Sequence, residues 1–200
     1  SDLKDMDRAV EILAEKIREE KKIRVIGDYD IDGVNATYIL QQGLSELGAD
    51  IDTDIPDRIK DGYGLNIALI DRALDDGVDT IITCDNGIAA ADEITYGKEN
   101  GLTIVVTDHH EVPYIEEEGE KNYILPPADA VVDPHRADCG YPFKGLCGAA
   151  VAYKLVEALC NVMQRDPEDL DYLMENVAIA TVGDVMDLTG ENRVFVKQGL

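Results

Sequence analysis

Leu102-Thr103-Ile104-Val105-Val106-Thr107-Asp108-His109-His110 joins a run of β-favouring residues to a carboxylate and two imidazoles. The run is short, apolar and rich in branched side chains, the pattern of a buried strand. Its end therefore carries three metal-capable groups. Two other apolar runs end alike. Ile23-Arg24-Val25-Ile26-Gly27 leads into Asp28-Tyr29-Asp30-Ile31-Asp32-Gly33, and Thr80-Ile81-Ile82-Thr83-Cys84 leads into Asp85-Asn86-Gly87. Three strand ends bearing acids or histidines point to one metal site assembled by a whole sheet.

The segments between these runs read as helices. Met6, Val10, Leu13 and Ile17 recur at spacings of three and four within an amphipathic helix over Leu3 to Glu20. Helices are expected over Val34 to Leu47, closed by Gly48, over Leu65 to Leu74, and over Ala89 to Asn100, closed by Gly101. Ile51 to Ile55 makes a further strand, ended by Pro56, and Ala130 to Val132 a fifth, running into Asp133-Pro134-His135. Alternating strands and helices define an α/β fold with a mostly parallel sheet, flanked by helices on both faces and joined by right-handed crossovers. Such sheets bind ligands at the carboxyl ends of their strands, where all three clusters fall. Beyond His110 the pattern loosens. Glu116 to Lys121 reads as a solvated loop, and Gly145 to Met163 and Leu170 to Thr181 as helices. The last residues, Val196 to Leu200, give no helix stop.

Two hundred residues fit one domain, expected over 1–200, and 45% hydrophobic residues suffice for a packed core. With 42 acids against 18 bases the formal charge is −24, which argues against a basic patch gripping a phosphate backbone. Divalent cations would neutralise part of it. Cys84, Cys139, Cys147 and Cys160 form no CxxC pair and no zinc spacing, and read as reduced thiols of a cytoplasmic protein. Neither a signal peptide nor an apolar run of about 18 residues marks a membrane span. The abrupt ends suggest a domain excised from a longer chain.

Each cluster has a bland reading and a chemical one. Asp28-x-Asp30-x-Asp32-Gly33 imitates an EF-hand loop, but the twelfth position is Ile39 rather than Glu, and no helix precedes it. One Asp there could cap a helix; three within five residues repel each other unless cations intervene. Asp85 and Asp184 are weak signals alone and gain weight from position, and Asp187 reads as an exposed neighbour. Adjacent residues leave a strand on opposite sides, so His109 and His110 are not expected on one ion. Tyr141 to Ala150 lacks Gly-Lys-Ser/Thr and is not a P-loop. Its small residues suit either close packing or phosphate binding at a helix start.

Taken together, the four strand-end motifs resemble the DHH phosphoesterase superfamily. GDYDIDG is similar to its first motif, the Asp85 strand end to its second, TDHH to its third and Val182-Gly183-Asp184 to its fourth. PDRIKDGYGL at Pro56 to Leu65 and YPFKGLCGAAVAYKL at Tyr141 to Leu155 narrow the resemblance to RecJ-like single-strand-specific 5′→3′ exonucleases of DNA repair and recombination. It covers nearly the whole chain, as a Rossmann-like DHH catalytic domain without the DHHA1 and OB-fold domains.

The resemblance implies a phosphodiesterase using two ions, Mn2+ or Mg2+, and single-stranded nucleic acid as the partner of the full-length protein. Asp30, with Asp28, would hold the first ion, Asp85 would bridge, and Asp32, His109 and Asp184 would hold the second. Asp108 would orient His109, and His110 would contact the scissile phosphate or protonate the leaving group. Arg58 and Lys144 are candidate substrate contacts. Ile26 stands where many members carry His, and Asp133 where related sequences often carry Asn. A small-nucleotide or short-oligonucleotide phosphodiesterase, a pyrophosphatase and a non-catalytic DHH scaffold are the alternatives.

Overall fold

The computed structural model describes residues 2–57 and 63–200. Five parallel strands form the main sheet: β1 (Lys22–Ile26), β2 (Asp50–Asp54), β3 (Thr80–Cys84), β4 (Thr103–Thr107) and, after a separate hairpin, β7 (Ala130–Val132). Their spatial order is β2-β1-β3-β4-β7. The chain moves outward in one direction from β1 to β2, then returns across β1 to β3, so the order reverses between β1 and β3. That reversal opens a crevice at the carboxyl edge, where α/β sheets bind ligands.

Alternation along each strand separates two cores. Ile23, Val25, Ile82, Cys84 and Val105 face one side, against α1 (Met6–Arg18), α2 (Ile31–Glu46), α5 (Gly148–Val162) and α6 (Met174–Gly183). Ile26, Ile81, Ile104 and Val106 face the other, against α3 (Ile67–Asp75) and α4 (Ala91–Glu99). The doubly covered parallel sheet expected from the sequence is the one observed. All four cysteines are free and buried, and no described helix is long and apolar enough to cross a membrane.

Three segments differ from the sequence reading. Residues Tyr114–Glu117 and Glu120–Tyr123 pair as an antiparallel hairpin, β5–β6, in place of a loop. Glu118 and Gly119 both adopt positive φ, the turn that suits a two-residue hairpin, and a Tyr114–Tyr123 pair stacks edge-on across it. The hairpin is nonetheless solvated throughout, as its glutamates imply. A short 3-10 helix (Pro167–Leu173) precedes α6, so the expected helix is two elements. A further helix, α7 (Gly190–Gly199), occupies a region to which the sequence reading assigned no element, noting only that Val196 to Leu200 give no helix stop. It buries only Asn192 and Phe195, too few positions to show a period.

Candidate metal centre

Parallel register sets the first tier of the site. Cys84 pairs with Thr107 and Thr107 with Val132, while Ile26 pairs with Thr83. Continuing that register past the strands, one step for β3, β4 and β7 and two for β1, places Asp28, Asp85, Asp108 and Asp133 in a row along the carboxyl edge. All four are buried. A row of four buried carboxylates is expensive unless each finds a hydrogen-bond donor or a cation.

Asp108 and Asp32 find donors. Asp108 accepts from the backbone N–H groups of Ile88 (2.9 Å) and His109 (2.8 Å), and its Oδ1 lies 2.7 Å from His110 Nδ1. Burial pushes this carboxyl up, but the bonds to His110 and to the N–H groups win and hold it below the usual range. The same contact with Asp108 raises the His110 imidazole. Asp108 therefore orients the His110 ring, whereas the sequence reading gave it to His109; its tie to His109 is through the backbone. Asp32 sits at the start of α5 and accepts from Gly148 N–H at 2.6 Å and Ala149 N–H at 2.8 Å. The helix start considered for substrate phosphate is thus filled by a carboxylate of the chain itself.

Asp85 finds none: among the described residues, neither of its side-chain oxygens has a hydrogen-bond partner. Asp28 makes no hydrogen bond of good geometry, though the N–H groups of Tyr29 and Gly64 and the Tyr63 hydroxyl approach it and partly offset its burial. Asp85 is pushed up to about 11 by burial and by the fields of Asp32, Asp30 and Asp108. Burial likewise raises Asp28 and Asp184, with Asp30 and Asp32 respectively adding to it. Asp133 gives one oxygen to His135 N–H at 2.7 Å and leaves the other unpartnered; burial raises it to about 7. Asp30, by contrast, is exposed and caps α2, accepting from Gly33 N–H at 2.8 Å.

His109 enters this set directly. Its Nε2 lies 3.0 Å from Asp85 Oδ1, 3.4 Å from Asp32 Oδ2 and 3.9 Å from Asp184 Oδ2. Ligand atoms within 4.8 Å of one another define three groups: Asp28, Asp30 and Asp85; Asp32, His109 and Asp184; and Asp85, His109 and His110. The last group departs from the expectation that adjacent histidines diverge. Both lie beyond the end of β4, where pleat alternation no longer holds, and their rings approach to 4.5 Å between centroids. Oxygen-rich groups with one or two imidazoles, with orphaned buried carboxylates among them, fit hard divalent cations.

Two glycines make the crowding possible. A Cβ on Gly33 would stand 2.6 Å from the Asp28 carbonyl oxygen. One on Gly148 would stand 2.7 Å from Asp85 Cβ and 3.1 Å from Asp32 Oδ2.

The remaining expected residues separate. Lys144 donates to the carbonyls of Pro134 (2.6 Å) and Cys139 (2.9 Å), so it staples its own loop and is not offered to a substrate. Arg58 lies outside the described residues. Ile26 is fully buried in the core beneath α3 and α4, away from the carboxylates. Asp187 is exposed, as read. Two site residues gave little signal in the sequence. Asn86 donates to the carbonyls of Ile26 and Cys84 and ties β1 to β3 at the crevice. Tyr63 approaches His110 from the far side of Asp108. Only the proximity of Asn86 to Asp85 hinted at the first.

A doubly wound α/β domain with carboxylates and histidines able to hold metal at its switch point is the class that fold and site define. Residues 22–181 match the model described as "DHH family, N-terminal domain", and the chain belongs to that family. Within it, the chain is similar to the single-stranded-DNA-specific exonuclease RecJ of Bacillus subtilis, at 39% identity over all of this chain and 23% of that protein. RecJ of Haemophilus influenzae is 36% identical, over 98% of this chain and 34% of that protein. A crystal structure of exonuclease RecJ bound to manganese superposes with a TM-score of 0.85 at 36% identity, covering 98% of this chain and 47% of that one. The chain thus spans a quarter to a third of the length of these curated relatives.

Proposed function

We propose that this chain is the catalytic domain of a metal-dependent exonuclease that degrades single-stranded DNA from its 5′ end. The observation that carries the reading is Asp85: a buried carboxylate with no hydrogen-bond partner, 3.0 Å from His109, among three further carboxylates. Likeness to RecJ, whose structure holds manganese, supports the substrate class and the metal.

Two manganese or magnesium ions suit the donor groups. Asp28, Asp30 and Asp85 would hold one; Asp32, His109 and Asp184 would hold the other, with Asp85 between them. Bound there, divalent cations supply charge neutralisation for the phosphodiester and an activated water. The chain's own residues do the rest. The N–H groups of α5 hold the Asp32 side chain in place, and Asp108 fixes His110 through Nδ1. Nε2 of His110 borders the crevice beside the Tyr63 hydroxyl, and in the imidazolium form it would protonate the leaving oxygen as water displaces it from phosphorus. The net charge of −24 favours short oligonucleotides over long strands for these residues acting alone.

Manganese-dependent digestion of 5′- and 3′-labelled single strands tests the reading. It predicts release of the 5′ label first as mononucleotide, and none with chelator. Turnover that persists in chelator, or first release of the 3′ label, contradicts it.

A further inference from the structure

Asp108 holds only one edge of the His110 ring. The opposite edge meets Tyr63, whose hydroxyl lies 3.2 Å from His110 Nε2. The two rings stand edge to face, with centroids 6.2 Å apart and planes at 89°. Tyr63 in turn packs edge-on against Tyr29, at 6.1 Å and 90°, and Tyr29 lies between Asp28 and Asp30. A continuous line therefore runs from the metal-binding turn after β1, through two phenol rings, to the imidazole after β4.

We propose that Tyr63 is a positioning residue for His110. With Asp108 accepting from Nδ1–H, Nε2 meets the phenol oxygen in either state: it accepts from the hydroxyl when the imidazole is neutral and donates to it when the ring is protonated. The pair of bonds fixes both tautomer and ring plane. A half-exposed imidazole held at one nitrogen alone would pivot about that bond. The second bond also keeps Nε2 aimed along the crevice that Tyr63, Asn86, Asp108 and His110 line together. The chemical consequence rests on the nuclease reading given above, but the hydrogen bond does not.

The test separates the two. The chain has three histidines, so long-range 15N spectra of the metal-free protein resolve each ring. They are recorded above the pH at which the His110 signals stop moving, and assigned with His110→Gln. Tyr63→Phe keeps the ring contact and removes the donor. It is expected to move His110 Nε2 to higher shift and leave His135 unmoved. In manganese-dependent digestion of a short single strand, the same variant should lower kcat up to about tenfold with KM unchanged, the worth of one hydrogen bond. Tyr63→Ala should lower it further. Unchanged His110 signals in Tyr63→Phe overturn the proposal. So does a variant whose only defect is in KM, because that makes Tyr63 a substrate contact. If the spectra change while the unmodified protein digests nothing, the positioning stands and the nuclease reading falls.

Discussion

Asp85 concentrates the physics of the site in one residue. It is buried and crowded by like charges, and among the described residues its oxygens make no hydrogen bond, with His109 Nε2 at 3.0 Å its nearest ionisable neighbour of opposite kind. Asp85→Asn should abolish metal-dependent hydrolysis and raise the melting temperature of the metal-free protein, because without a cation folding forces Asp85 to take up a proton, a cost an amide does not carry. A variant that melts lower without metal would contradict that reading. The pH dependence has a definite sign. Asp85 and Asp133 move up from 3.8, to about 11 and about 7. The folded protein therefore holds more protons than the unfolded chain between these limits. The associated stability is complete below pH 4 and is lost as pH rises, through about 7 for Asp133 and on towards 11 for Asp85. Metal-free protein should melt at a lower temperature at pH 8 than at pH 5.5, and manganese should restore more at pH 8. Thermal melts at the two pH values check both statements.

At the scale of elements, the site depends on the start of α5 reaching the end of β3. Gly148→Ala would push a Cβ to 2.7 Å from Asp85 Cβ and 3.1 Å from Asp32 Oδ2. It should cost about 1–3 kcal/mol in urea unfolding and weaken manganese binding. Gly140→Ala, with nothing within 4 Å of its Cβ, is the control and should do neither. The sequence announces β1, β3, β4 and β7 because buried parallel strands read as unbroken apolar runs. It announces α1 because one face of it is buried and the other is not. It hides the hairpin, which is solvated throughout, and α7, which packs along α6 but buries only Asn192 and Phe195. The acids of the site were legible as strand ends, since a parallel sheet brings such ends to one edge. The partner of each was not. That Asp32 bonds α5, 116 residues away, and that Asp108 bonds the ring of His110 instead of His109, are facts of packing. Lys144 illustrates the same limit: composition marked it as a scarce base, but folding turned it onto two carbonyls.

Across the whole molecule, a charge of −24 sits beside the site proposed to take a polyanion's phosphate. Cations reconcile the two locally, but the described surface offers no basic track along which a strand would lie. This chain alone should digest short oligonucleotides better than long strands at physiological salt, and rates on long and short substrates measured side by side test that. Processive degradation of a long strand by these 200 residues would contradict it. The central claim is that the carboxyl edge of the sheet is a metal centre shared through Asp85. Calorimetric titration of manganese into the protein and into Asp85→Asn tests it most directly. The account predicts two ions bound by the unmodified protein, with affinity at both sites weakened in the variant. No binding to the unmodified protein, or the same binding by both, would contradict it.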